Sequence, residues 1–165
     1  MNIGHGWDRH RLEAGRPLML GGVHIPWHKG EAGHSDGDVL LHAVIDALLG
    51  SCALGDIGYH FPPGDPAWKD AASAELLRQA CDLVMRSGFR PTNIDSTIIL
   101  ESPKLTPHIQ AIRRSIAELT DLPVESVSVK AKTAEGFPPV GTGDAVEAHA
   151  VVLTELLEED QSLYL

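Results

Sequence analysis

Apolar positions along this chain follow two periods, and the switches between them mark its elements. From Asp38 to about residue 53 the positions Val39, Leu40, Ala43, Val44, Ala47 and Leu48, with Ile45 and Leu49, leave almost no polar face. That pattern predicts a buried helix, ended by Gly50 or Gly55. A second helix is expected from Ser73 to Ser87, with Leu76, Leu77, Ala80 and Val84 as its buried stripe and Gly88 as its stop. Thr106-Pro107 reads as an N-cap and first-turn proline opening a third helix, with Ile109, Ile112, Ile116 and Leu119 on one face. Residues 2–8, 93–100 and 145–153 read as strands, and Pro17 to Ile25 as a further strand or hairpin arm. Val127 to Lys132 alternates as a half-buried strand does, and Gly136 to Gly143 is a Pro/Gly loop. Acidic residues from Glu155 onward read as a C-terminal tail. Helices and strands mix without regular alternation, so the expectation is an α+β fold: an α/β sandwich with a mixed four-stranded sheet backed by helices, one domain over 1–165.

Composition narrows the partners. At 165 residues, 43% hydrophobic and 22% charged, the chain suits one domain with a real core. No apolar run approaches a membrane span, and no cationic or Ser/Arg-rich leader precedes the first strand, so a cytoplasmic location is expected. Cys52 and Cys81 fall inside helical patterns and read as small apolar residues, not as a disulfide framework. A formal net charge of −10 argues against general nucleic-acid binding. It leaves room for an anionic small molecule wherever metal ions or a few local cations reverse the field.

Candidate chemistry concentrates in five segments. Asp8 and His10 stand two apart on the opening strand and so point to one face. His34-Ser35-Asp36-Gly37-Asp38 precedes the apolar helix on which His42 sits. Two imidazoles and a carboxylate make the open three-ligand set that zinc uses when it does chemistry. Asp38 and Asp46 lie one turn to either side of His42. A carboxylate orienting a ligating His and a core histidine satisfied by its neighbours are both compatible with that stack. The loop Gly55 to Asp65 presents acids and backbone N–H groups, Pro103 to Pro107 places Lys104 beside a helix start, and Lys130 to Gly136 ends a strand with two cations, a hydroxyl and Glu135. Glu135 reads either as a surface acid or as a ligand for a hard cation.

Taken together, Gly4-His5-Gly6-Trp7-Asp8-Arg9-His10, Gly21-Gly22-Val23-His24-Ile25-Pro26, His34 to Asp38 with His42, Asp46-Ala47-Leu48-Leu49-Gly50, Gly55-Asp56-Ile57-Gly58, Pro103-Lys104, Pro107-His108-Ile109 and Lys130 to Glu135 resemble the 2-C-methyl-D-erythritol 2,4-cyclodiphosphate synthase family over about residues 1–154. The resemblance implies a homotrimer of α/β sandwich subunits with active sites between subunits. It implies zinc on Asp8, His10 and His42, and a magnesium or manganese ion helped by Glu135. The methylerythritol phosphate end would rest on His34, Ser35, Asp56, Ile57, Gly58, Phe61, Pro62, Pro63, Gly64 and Asp65, and Asp8, Arg9 and His10 would also bind substrate. The cytidine end would rest on a neighbouring subunit's Leu100, Lys104, Leu105, Thr106, Ala131, Lys132 and Thr133, and Ala134 and Glu135 would also bind substrate. His34 and Thr133 would steady the transition state as CMP leaves.

Three departures stand out. Where many members have Phe-Pro-Asp-Thr-Asp, this chain has Phe61-Pro62-Pro63-Gly64-Asp65 and lacks one loop carboxylate. Lys132 replaces a frequent threonine. Gly141-Thr142-Gly143-Asp144 replaces a Gly-Arg-Gly-Glu segment that binds isoprenoid diphosphates, which removes a bidentate phosphate fork and predicts weak binding there. A hydrolytic metallophosphoesterase and a non-catalytic metal- or nucleotide-binding trimer are the competing readings.

Overall fold

The computed structural model of the chain describes residues 1–32, 36–65, 68 and 71–157. In order, the elements are strand β1 (Asn2–Ala14), short strands β2 (Leu18–Leu20), β3 (Val23–Ile25) and β4 (Lys29–Glu31), helix α1 (Val39–Ser51), one-turn helix α2 (Ile57–His60), helix α3 (Ser73–Arg86), strand β5 (Phe89–Ile99), helix α4 (Ile109–Thr120), and strands β6 (Val127–Lys132) and β7 (Ala145–Leu156). The main sheet runs β4-β1-β7-β5-β6, parallel between β5 and β6 and antiparallel elsewhere. Five strands replace the expected four. The addition, β4, pairs Glu31 with Leu12 and Lys29 with Ala14, and its Lys-Gly-Glu sequence carries no apolar alternation to announce it.

The helices α1, α3 and α4 form the layer against one face of this sheet, with the core between them. The other face leaves Ile3 70%, Trp7 44% and Val151 36% exposed. Ten of the thirteen residues of α1 are buried, as its apolar circumference demands. The helix approaches β1 more closely than side chains would permit: a Cβ on Gly4 or Gly6 would stand 1.9 Å from the carbonyl oxygens of Ala47 and Ala43. Glycine at both positions lets strand and helix backbones touch.

The segment Pro17 to Ile25 folds as a separate hairpin of β2 and β3, whose turn residues Gly21 and Gly22 both take positive φ, as a two-residue turn of inverted twist requires. Their N–H groups donate to the Asp38 carboxylate at 2.9 and 2.6 Å, and Asp38 in turn caps α1 by accepting from Leu41. Burial pushes the Asp38 carboxyl up to about 6, against the opposing pull of those N–H groups. Glu31, buried beside it, accepts from the Val39 N–H at 3.0 Å, and burial with the Asp38 charge raises it well above the carboxylate range.

Several boundaries differ from expectation: β1 runs on to Ala14 and β5 begins already at Phe89. Helix α4 begins at Ile109, not at Thr106-Pro107, because the Leu105 carbonyl accepts from both His108 and Ile109 and closes a separate turn first. Strand β7 runs on to Leu156, drawing Glu155 out of the expected acidic tail, since Leu156 pairs with Phe89 and Arg90 grips the Glu155 carboxylate at 2.8 and 3.0 Å. The rest of that tail, from residue 158, lies outside the described residues. Cys81 is a buried thiol, pushed up to about 12 by burial and the nearby Asp82; Cys52 is half-buried, and both are free. Among the described residues no helix is long and apolar enough to cross a membrane.

Candidate metal centre

Alternation along β1 turns Gly4, Gly6, Asp8, His10 and Leu12 toward the helical layer. Two residues of strand advance about 6.8 Å and four residues of helix about 6 Å, so contacts step along both elements nearly in phase. Gly4 lies against Ala47 and Gly6 against Ala43. The next inward residue, Asp8, therefore meets the first turn of α1, from which His42 projects.

The three side chains converge. Asp8 Oδ2 lies 2.9 Å from His10 Nε2 and 3.0 Å from His42 Nδ1, and one ligand atom from each of the three falls within 4.8 Å of the others. The imidazole rings meet edge to face at 5.0 Å. Ligand atoms about 2.0–2.1 Å from a tetrahedral zinc ion stand about 3.3 Å apart, so a slight opening of this cluster accommodates the ion. Burial works to raise the Asp8 carboxyl, but the hydrogen bonds and charges of His10 and His42 outweigh it and hold it well below the usual range. For His10, burial works to lower the imidazole, and the bond and charge of Asp8 outweigh it, leaving it raised. Such a cluster binds a cation by exchanging it for protons.

The orienting partner of His42 is neither acid expected from the helix. Asp38 serves the hairpin turn and the helix cap, and Asp46 accepts from the Ile57 N–H at 2.8 Å, docking the Asp56-Ile57-Gly58 turn onto α1. Burial raises Asp46. His42 Nε2 instead lies 3.0 Å from the Ser73 hydroxyl, which is bonded to Asp36. Ser73 was legible only as the first residue of an amphipathic helix, where a serine is ordinary; nothing in its spacing ties it to a histidine 31 positions earlier.

The remaining predicted site residues fall in two groups. Asp56 caps α2 by accepting from Tyr59 at 2.8 Å; Phe61 is buried and packs edge to face on Trp68 at 5.1 Å, while Pro62, Pro63, Gly64 and Asp65 are exposed. Arg9 points away from the triad, its guanidinium 5.5 Å from the Trp7 ring centre. His34 and Ser35 lie outside the described residues.

The second group sits at the far edge, where parallel β5 and β6 end together. The Leu100 N–H donates to the Lys132 carbonyl at 2.9 Å, the Ala134 N–H to Glu101 at 3.1 Å, and the Thr133 hydroxyl to Glu135 at 2.6 Å. Lys104, Thr106, Ala131, Lys132, Thr133 and Glu135 are exposed, Ala134 is half-buried, and Leu100 and Leu105 are buried. Arg9, Glu147, Ile99 and Lys132 share one level of the sheet, so three strand spacings, about 14 Å, separate the triad's strand from β6. Glu135 does not join Asp8, His10 and His42; among the described residues, those three alone form a cluster fit for a metal ion.

Known proteins resemble this chain along nearly all of its length. The 2-C-methyl-D-erythritol 2,4-cyclodiphosphate synthase of Gloeobacter violaceus is 56% identical over 155 residues, 94% of this chain and 95% of the relative. A solved synthase of the same name in its CDP-bound form superposes with a TM-score of 0.87 at 44% identity, covering 93% of this chain and 99% of that one. The CDP complex of Plasmodium falciparum IspF gives a TM-score of 0.82 at 31% identity, covering 94% and 96%. The YgbB family model matches residues 1–155. With the family model and these relatives in agreement, the chain belongs to the YgbB family, that of the 2-C-methyl-D-erythritol 2,4-cyclodiphosphate synthases.

Proposed function

We propose that this chain converts 4-diphosphocytidyl-2-C-methyl-D-erythritol 2-phosphate to 2-C-methyl-D-erythritol 2,4-cyclodiphosphate with release of CMP, a step of non-mevalonate isoprenoid precursor synthesis. The observation that carries the reading is the convergence of Asp8, His10 and His42, in a chain 56% identical to a synthase of that name. In this reaction an oxygen of the 2-phosphate bonds to the β-phosphorus and the bond to the CMP oxygen breaks, so no protein nucleophile is needed. What accelerates it is alignment of the two phosphates and positive charge on oxygens that gain negative charge.

Asp8, His10 and His42 would hold a zinc ion, and Glu135 would help hold magnesium or manganese; bound there, the ions supply Lewis acidity at the phosphoryl oxygens. The Asp56 to Gly58 turn, pinned to α1 through Asp46, offers backbone groups to the methylerythritol hydroxyls, and His34, Ser35 and the Phe61 to Asp65 loop complete that end. Leu100, Lys104 to Thr106 and Ala131 to Thr133 would receive the cytidine end, with Thr133 and His34 bonding the phosphates as charge shifts. The ~14 Å between β1 and β6 supports a site assembled from two copies, and the exposed Ile3, Trp7 and Val151 on the uncovered sheet face support the homotrimer. A soluble cytoplasmic trimer without nucleic-acid or membrane partners fits this role.

The test is product analysis. Incubation of the zinc- and magnesium-loaded protein with the diphosphocytidyl substrate is expected to yield CMP and a cyclic diphosphate, resolved by ³¹P NMR. A linear phosphate product would instead mark water as the nucleophile and a hydrolytic metallophosphoesterase. No turnover of the substrate would leave a binding protein.

A further inference from the structure

We infer that Ser73 and Asp36 are positioning residues for the metal centre, forming a hydrogen-bond chain that fixes His42 Nδ1 as its ligating atom. This inference rests on the metal-centre reading above. The argument begins with donors and acceptors. The Ser73 hydroxyl has a single hydrogen, and it is given to the Asp36 carboxylate, which can only accept. Ser73 Oγ therefore meets His42 Nε2, 3.0 Å away, as an acceptor, and Nε2 must carry the ring hydrogen. That leaves Nδ1, whose hydrogen bond to Asp8 Oδ2 at 3.0 Å a bound ion would replace, as the nitrogen that faces the ion.

The chain is held rigidly at its far end. Ser73 is fully buried, and its backbone N–H also donates to both Asp36 oxygens at 3.2 Å. Helix α3 has no cap from its own Ala72, so a carboxylate brought from another loop does that work and sits in the field of the helix N-terminus. The acceptor at the end of the relay is thus fixed by three bonds, and through it the plane of the His42 ring. Asp36 lies in the segment leading into α1 and Ser73 opens α3, so the relay ties the start of the metal-bearing helix to its neighbour.

Outer partners of metal-bound histidines set ring orientation and basicity, and their loss weakens binding on the order of 10–100-fold. The experiment measures zinc affinity of metal-stripped protein by competition with a chromophoric chelator. Ser73→Ala, which keeps the backbone bond to Asp36, is expected to bind zinc about 10–100-fold more weakly, while Ser73→Thr, which restores a hydroxyl, stays within about threefold of the parent. The thermal midpoint of metal-free Ser73→Ala should fall by a few degrees, the cost of one buried hydrogen-bonded hydroxyl, with the fold retained. Unchanged affinity in Ser73→Ala would overturn the inference. Should that variant not fold, ¹H–¹⁵N correlation of the His42 ring in the zinc-loaded parent decides it: a protonated Nε2 with metal on Nδ1 supports the relay, and metal on Nε2 overturns it. His42→Ala separates the two levels, because retained zinc there removes the metal centre itself, whereas zinc lost in His42→Ala but kept in Ser73→Ala removes the relay alone.

Discussion

The two ends of the proposed site are built differently. Beside α1, the groups bond to one another within the chain: Asp8 holds both histidines, Ser73 and Asp36 hold His42 from behind, and Asp46 draws in the Asp56 turn. At the edge of β6, Lys104, Lys132, Thr133 and Glu135 stand exposed, and among the described residues the Thr133 hydroxyl bonds only Glu135, two residues away. The first region is a finished constellation formed by long-range packing. The second is a strand end displayed to solvent, as expected of groups that act on something arriving from outside. A metal site must be preorganised against the repulsion and desolvation of its ligands, whereas phosphate and base contacts can await the substrate.

Four experiments probe that contrast, the most damaging first. Gly6→Ala sets a Cβ 1.9 Å from the Ala43 carbonyl oxygen with backbone as the obstacle, so α1 must lift from β1. We expect a loss of at least about 3–4 kcal/mol, seen as a collapse of soluble yield or of the thermal midpoint. Preserved stability would mean that the near side is not packed as described. His42→Ala should leave a folded protein whose CMP release falls by roughly 10³-fold or more, the equivalent of several kcal/mol of lost charge stabilisation. Substantial turnover in metal-replete buffer would refute the role assigned to the triad.

The comparison itself is tested by mixing. Thr133→Val and His42→Ala preparations, each nearly inactive alone, are co-expressed so that subunits assort at random. A site shared between neighbours is then intact in about one case in four, and about a quarter of parental activity should return. If each site lies within one chain, activity stays at background.

The smallest effect is a pH dependence confined to the near side. Asp38 and Glu31 are raised by burial, so between the unfolded carboxylate range and their raised positions the folded state holds protons that the unfolded state has released. Stability of the metal-free protein therefore falls as pH rises, through about pH 4 to 6 for Asp38 and further for Glu31. The raised His10 acts in the same direction above its ordinary range, and the depressed Asp8 removes stability only as pH falls below about 4. Glu31→Gln should flatten the profile and raise the thermal midpoint at pH 8 by a few degrees, about 2–4 °C per kcal/mol in a domain of this size. A variant as pH-sensitive as its parent would place the titration elsewhere.

Much of this was legible along the chain, and the failures have a common cause. The apolar circumference of residues 38–53 gave a buried helix, and the alternation of 127–132 gave a strand, because burial on all sides or on one face is written directly into residue type. Asp8, His10 and His42 were legible as donors by type and spacing. Short β4 was not, since an edge strand of three residues is held by pairing with β1 and not by its own pattern. Thr106-Pro107 has good local chemistry for a helix start, yet the Leu105 turn claims that stretch first.

Sequence alone determined which groups can ligate a cation and which segments curl or extend, since both follow from side-chain chemistry and local period. Tertiary structure decided who meets whom. His42 stands 34 positions from Asp8 and 31 from Ser73, and Ser73 stands 37 from Asp36. Those meetings depend on how far α1 slides along β1, and two glycines settle that by letting the backbones touch. No local rule carries that register, because it is the outcome of packing between elements remote in sequence.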